Sequence, residues 1–192
     1  MSMKRVLEVI DNLTGDELVK SIINSLNENQ EKSKSWLIEK SKEYFDFFDN
    51  PKICIAAGWY GHLADKLRPF TNEKVLSFDK DPNTKLVGSK LYNDVWFKVE
   101  TIESFEKFKK FNVLVCTSCE HLEQKVIDDM LKKTKKGTLI ILQSNNYFAI
   151  KDHINCHNSV KEFNQTLHLE KMLYNGTLEL DKFDRYMVIG IK

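Results

Sequence analysis

From residue 51 onward, short apolar runs alternate with stretches that carry a helical pattern. "KICIAAG", "KVLSFD", "DVWFKVET", "FNVLVCTS" and "GTLIILQS" read as five strands. Between them lie "HLADKL", a weakly helical segment after "KDPNTKL", the short helical stretch "ESFEKFKKF" and the helix "EHLEQKVIDDMLKKTKKG". Gly137 closes that last helix in the C′ position. Strands that are apolar on both faces belong to a parallel sheet covered by helices on each side.

The two ends of the chain follow other patterns. Residues 1–48 read as helical. "TGDELVKSIINSLN" offers Thr14 as an N-cap with Glu17 at capping-box spacing, then Leu18, Ile22 and Leu26 at helical spacing. A second helix, roughly Lys32 to Phe48, carries Trp36, Leu37, Tyr44, Phe45 and Phe48 and stops before Pro51. At the other end, a helix around Ser159 to Leu167 precedes "LEKMLYNGTLEL" and "DRYMVIGIK". Too few residues separate those two runs for a parallel crossover, so they form an antiparallel hairpin. The expected fold class is α/β: a doubly wound, mostly parallel seven-stranded sheet with a C-terminal antiparallel hairpin. A helical cap at 1–50 precedes one compact unit at 51–192.

Composition narrows the function classes. At 192 residues the chain suits one well-buried domain, and 42% apolar with 30% charged residues is globular. A net charge of +1 excludes nucleic-acid binding by bulk electrostatics. "MSMKRVLEVIDNL" has no uninterrupted apolar region of the signal-peptide kind, and no run approaches the roughly 18 apolar residues of a membrane helix. Four cysteines in such a chain read as reduced thiols of a cytoplasmic protein.

In a doubly wound sheet, ligands bind at the carboxyl ends of the strands where the strand order reverses, against the first strand–turn–helix. Here that turn is "AAGWYG", with Gly58 and Gly61 in place of the three glycines of a dinucleotide fingerprint. The turn either holds a ligand or simply bends. Asp79 follows Gly58 by 21 positions, the interval at which a carboxylate accepts from ribose hydroxyls. Asp81 is the alternative, although it precedes Pro82 and suits the start of the next turn. His121 titrates near neutrality and could serve as a base; equally, it could be a helix N-terminal residue behind Ser118 as N-cap. "QSNNYFAIKDHINCHNSVKEF" gathers the neutral donors and acceptors Gln143, Ser144, Asn145, Asn146, Tyr147 and His153, which fix a ligand's orientation without charge. Arg185 either reaches an anionic substrate or pairs with Asp184 or another acid. Cys116 and Cys119 spell C-x-x-C, and Cys156 and His157 follow, but the doubled spacing of a zinc ribbon or finger is missing. No metal site is expected.

Five parallel strands with a terminal hairpin resemble the class I S-adenosylmethionine (SAM)-dependent methyltransferases, over residues 51–192. The "GWYG" stretch also resembles the first motif of a group of phage proteins of this methyltransferase type. The resemblance implies a Rossmann-like methyltransferase fold with SAM as cofactor. It places Ala57, Gly58, Trp59, Tyr60 and Gly61 around the cofactor and Asp79 on its ribose. Thr101 and Ile102 flank the adenine, and Thr117 and Ser118 lie beside the sulfonium. With such a cofactor, His121 and His153 are the candidate bases, and the residues already singled out, Gln143, Asn145, Asn146, Tyr147 and Arg185, the candidate substrate-binding residues. The chain departs from the family pattern at Ile55, where an acid is usual, and at Ala57 and Trp59, where glycines are usual. The Asn/Asp-Pro-Pro-aromatic motif of enzymes that methylate base amines is absent, which favours a small-molecule acceptor of unspecified identity. Two alternatives stay open: a non-catalytic nucleotide- or SAM-binding module, and a nicotinamide-dependent oxidoreductase of similar sheet.

Overall fold

The five apolar runs become five parallel strands in the computed structural model, which describes residues 3–11 and 15–192. They are β1 (Ile53–Ala56), β2 (Val75–Asp79), β3 (Val95–Val99), β4 (Val113–Cys116) and β5 (Leu139–Asn145). β6 (Lys171–Glu179) and β7 (Asp184–Ile191) complete a seven-stranded sheet in the order β3-β2-β1-β4-β5-β7-β6. β7 runs antiparallel to both neighbours, setting Arg185 opposite Asn145 at the carboxyl end of β5. The chain builds outward from β1 through β2 and β3, then returns to place β4 on the other side of β1. Above β1 and β4 the connections therefore diverge and leave a crevice at the strands' carboxyl ends.

Because strand side chains alternate between faces, each run supplies two cores. Ile53, Ile55, Val75, Val113, Val115, Ile141, Met187 and Ile189 face one way. They meet Val6, Ile22, Trp36, Leu37 and Phe45 from α1 (Met3–Ile10), α2 (Asp16–Ser25) and α3 (Glu28–Phe45). α4 (His62–Leu67) and α5 (Pro82–Leu91) cover the rest of that face through Leu63, Leu67, Val87 and Leu91. Cys54, Leu76, Phe78, Leu114, Cys116, Ile140 and Val188 face the other way. Ile127, Met130 and Leu131 of α6 (Gln124–Lys133) and Phe163 of α7 (Val160–Gln165) pack on them. No helix among the described residues is long and apolar enough to cross a membrane.

Several local expectations change. α3 begins at Glu28 rather than near Lys32, because Asn27 caps it by accepting from the Gln30 N–H at 2.9 Å. It ends at Phe45, before Phe48. "ESFEKFKKF" makes only a short 3-10 turn, Phe108–Lys110. Phe105, Phe108 and Phe111, spaced by three, turn one face inward, and Phe105 stacks on Phe78 at 4.5 Å. The long helix after β4 is split into a 3-10 turn, Cys119–His121, and α6. Ser118 does precede that turn, but its hydroxyl makes no cap bond. Gly137 is left-handed (φ 79°), yet it lies beyond the cap residue Thr134 and turns the chain into β5, donating to the Lys192 carbonyl. Thr14 lies outside the described residues.

Candidate functional site

The turn after β1 is held by backbone hydrogen bonds and by one carboxylate. Gly58 N–H donates to the Phe78 carbonyl at 3.0 Å and Gly61 N–H to the Gly58 carbonyl at 3.1 Å. A Cβ on Gly58 would run into Ser77 Oγ, and one on Gly61 would overlap the buried Phe97 ring. Both glycines are thus required by packing against β2 and β3. Gly61 also adopts φ 84°, where a side chain is strained. Ala57 and Trp59 carry side chains and still adopt left-handed values, φ 50° and 51°. The Trp59 N–H donates to Asp79 Oδ2 at 3.1 Å, so the carboxylate at the end of β2 fixes the turn.

Between the glycines the aromatic pair divides its tasks. Tyr60 is buried and its hydroxyl meets Ser21 Oγ of α2 at 2.9 Å. Trp59 stays half-buried and stacks on Tyr60 with ring centroids 5.7 Å apart. Asp79 is half-buried, and its second oxygen accepts from the Asp81 N–H at 3.1 Å. Asp81 caps α5, accepting from the Asn83 N–H. Beyond β3, Thr101 is exposed and accepts from the Ser104 N–H, closing a turn, while Ile102 is buried in the core beneath α6.

At the carboxyl ends of β4, β5 and β7 the polar residues form one network. Arg185, 6% exposed, donates to Glu120 Oε1 at 2.8 Å, to the Thr117 carbonyl at 2.8 Å and to Ser33 Oγ at 3.2 Å. Ser33 Oγ donates in turn to Gln143 Oε1. Asn145 donates to Glu120 Oε1 at 2.8 Å and accepts from the Tyr147 N–H. Gln143, Asn145 and Arg185 are therefore buried and joined, Asn145 and Arg185 through Glu120 and Gln143 to Arg185 through Ser33, rather than presented singly. Asn146 exchanges hydrogen bonds with Asp184, and Tyr147 stacks on Phe183 at 5.0 Å. Thr117 and Ser118 are half-buried beside this network.

His121 and His153 meet although 32 positions separate them, with ring centroids 4.6 Å apart. His121 Nδ1 lies 3.1 Å from the Asp152 carbonyl and His153 Nδ1 2.9 Å from the Tyr147 carbonyl. A carbonyl only accepts, so each Nδ1 carries a proton and each neutral ring keeps its lone pair on Nε2. Burial lowers the His153 pKa, against the opposing pull of the Glu120 charge. The C-x-x-C cysteines are buried in the core beneath α6 and α7, where the Cys119 thiol donates to the Cys116 carbonyl.

Sequence patterns give no hint of a second polar group, under α3. Glu31 accepts from His62 Nε2 at 2.9 Å and from Lys66 at 2.6 Å, and Tyr92 donates to His62 Nδ1 at 3.0 Å. Burial pulls the Glu31 carboxyl up, but the bonds from His62 and Lys66 prevail and hold it at about 2. One helical turn on, Lys34 is buried with Gln30 Oε1 and two carbonyls as its partners. Burial, and then the Arg185 charge, lowers its pKa to about 7. A cleft of about 490 Å³ lined by Asp65, Arg68, Asn72, Lys74 and Asp94 opens at the other end of the sheet, before β2 and β3 begin.

No family model and no curated protein sequence matches the chain. Solved structures do match its architecture. The N-methyltransferase NodS from Bradyrhizobium japonicum, in complex with S-adenosyl-L-homocysteine (SAH), superposes with a TM-score of 0.70 at 13% identity, over 98% of each chain. The magnesium protoporphyrin IX methyltransferase ChlM from Synechocystis, with bound SAM, gives a TM-score of 0.62 at 12% identity, over 98% of this chain and 90% of that one. The fold is thus the Rossmann-like one of these methyltransferases.

Proposed function

We propose that this chain is a SAM-dependent methyltransferase of the cytoplasm acting on a small molecule. The observation that carries the reading is the turn after β1. Two residues with side chains, Ala57 and Trp59, are held left-handed there, and the Trp59 N–H is tied to a carboxylate at the switch point of the sheet. Such backbone costs roughly 1–3 kcal/mol per residue and clusters at ligand sites. The likeness of "GWYG" to the phage methyltransferase-type motif supports the same reading.

The donor set suits SAM. Both Asp79 oxygens are oriented by one backbone N–H each and keep lone pairs for the two ribose hydroxyls. Ala57, Gly58 and Gly61 would present backbone, and Trp59 an aromatic face, to the cofactor. Tyr60 would act only through its backbone, since its side chain is spent on α2. Thr101 would flank the adenine, with Ile102 supporting it from the core, and Thr117 and Ser118 would line the path to the acceptor. The helices of residues 1–50 would cap the pocket over the unit formed by 51–192. When bound, SAM supplies a methyl group already activated on a sulfonium. The protein's task is then to orient the acceptor and accept its proton. The network of Gln143, Asn145 and Arg185, together with Asn146 and Tyr147, would orient the acceptor. A neutral Nε2 of His121 or His153 would take the proton. The absence of the base-amine motif supports a small-molecule acceptor. The terminal hairpin and the two-glycine turn speak against a nicotinamide cofactor.

Calorimetric titration with SAH tests the reading. We expect micromolar binding to the wild type and at least a tenfold loss in Asp79→Ala. No binding to the folded wild type refutes it. Binding without turnover of any methyl acceptor would favour the non-catalytic SAM-binding module.

A further inference from the structure

Glu120 and His121 are adjacent in sequence, and the loop after β5 brings His153 back to them. One ligand atom from each of the three residues lies within 4.8 Å of the others. Three further features suit a cation. Each histidine donates its Nδ1 hydrogen to a backbone carbonyl, which fixes the tautomer and leaves the Nε2 lone pair free. This is the outer-shell arrangement that orients metal-ligating histidines. Second, Glu120 is 3% exposed; its Oε1 accepts from both Asn145 and Arg185, while its Oε2 is buried without a hydrogen-bond partner among the described residues. A buried oxygen left so costs on the order of 1–3 kcal/mol, more when charged, unless something binds it. Third, exposure grades from buried Glu120 through half-buried His153 to exposed His121, which leaves the solvent side of the group open.

We infer that Glu120, His121 and His153 form a binding site for a divalent transition-metal cation, with zinc as the simplest occupant. Two imidazoles and one carboxylate suit zinc, and also iron, cobalt and manganese in the divalent state. Three protein ligands leave at least one position open, as in zinc sites that do chemistry. Ligand atoms of a tetrahedral zinc lie about 3.4 Å apart, given bonds of about 2.1 Å. Small approaches of the three side chains, with both Nδ1 hydrogen bonds kept, would supply the contraction from the 4.8 Å limit. The cysteines of the C-x-x-C pair take no part, being turned into the core. The site itself does not depend on methyl transfer. Its consequence for the reaction rests on that reading: the open position would hold the acceptor's oxygen or nitrogen and lower its pKa, so that its proton would pass to water on the exposed side of the group. The two histidines would then be ligands rather than bases.

The test uses the tag-free full chain, stripped with chelator and titrated with Zn²⁺ and with Co²⁺ alone. We expect one equivalent to bind at micromolar concentration and the Co²⁺ visible spectrum to gain ligand-field bands. His121→Ala and His153→Ala should each weaken binding at least tenfold. His121 is exposed, so its variant should keep the wild-type unfolding midpoint, which separates loss of ligand from loss of fold. Glu120→Gln should also weaken binding. Absence of binding to the wild type, or binding that survives both histidine variants, overturns the site. SAH titration of the same stripped and loaded samples separates the two ideas. SAH binding without cation binding refutes the metal site alone. Cation binding without SAH binding upholds the site and removes its methyl-transfer role.

Discussion

Lys34 gives the most quantitative prediction. It lies on the sheet side of α3, between buried Ser33 and Trp36, with only neutral hydrogen-bond partners. Its pKa falls from 10.5 to about 7, chiefly because burial penalises the ammonium. At about 1.4 kcal/mol per unit, holding the charged form in the fold costs on the order of 4–5 kcal/mol. Lys34→Met keeps a flexible stem of similar length and removes the charge. After subtracting the lost hydrogen bonds, the variant should be more stable than the wild type by about 2–4 kcal/mol at about pH 6. The pH dependence has a definite sign. Between about 7 and 10.5 the unfolded lysine holds its proton and the folded one has released it, so wild-type stability rises with pH there. Below about 7 both states are protonated and the penalty is full and constant. The gap between variant and wild type should therefore be flat below neutrality and close as pH approaches 10.5. Urea unfolding of both proteins across that window reads the gap directly, and groups they share cancel in the difference. A variant less stable than the wild type at pH 6, or a gap that does not narrow with pH, would refute the reasoning.

Other substitutions test the site's frame. Arg185→Met should cost about 3–5 kcal/mol by leaving Glu120 uncompensated, and Arg185→Met with Glu120→Gln should recover much of it, as a double-mutant cycle in denaturant would reveal. Gly61→Ala forces a side chain onto Phe97 at φ 84° and should lose roughly 2–3 kcal/mol in thermal unfolding. Ala57→Gly relieves a left-handed residue and should gain up to about 1 kcal/mol, the opposite sign at a site four residues away.

The sheet was legible because its strands are apolar on both faces, and the hairpin because its connection is too short for anything else. The terminal reach of α3 was not. "NENQEKSKS" looks like a solvated patch, yet Asn27 caps it and tertiary contacts bury Ser33 and Lys34, which periodicity cannot foresee. The phenylalanines of "ESFEKFKKF" carry a spacing of three that serves an irregular segment as well as a helix. At the site, the turn and Asp79 could be found from strand position and interval. The joining of Arg185 to Glu120 across 65 residues could not, because antiparallel register and loop geometry create it. Glu120 is hidden for the same reason: on a linear reading it is one acid beside a histidine.

The aromatic pair in the first turn has a consequence for measurement. Trp59 and Tyr60 separate the glycines because one residue moors the turn to α2 and the other roofs it. Of the three tryptophans, Trp36 is buried against Tyr174 and Trp96 stands on the outer face of edge strand β3. Trp59 alone sits at the switch point, half in solvent, with its own amide bonded to Asp79. The molecule therefore carries an intrinsic fluorophore at the mouth of its crevice. Occupancy of that crevice can be followed by emission from the unlabelled protein, with Trp59→Phe as the blank.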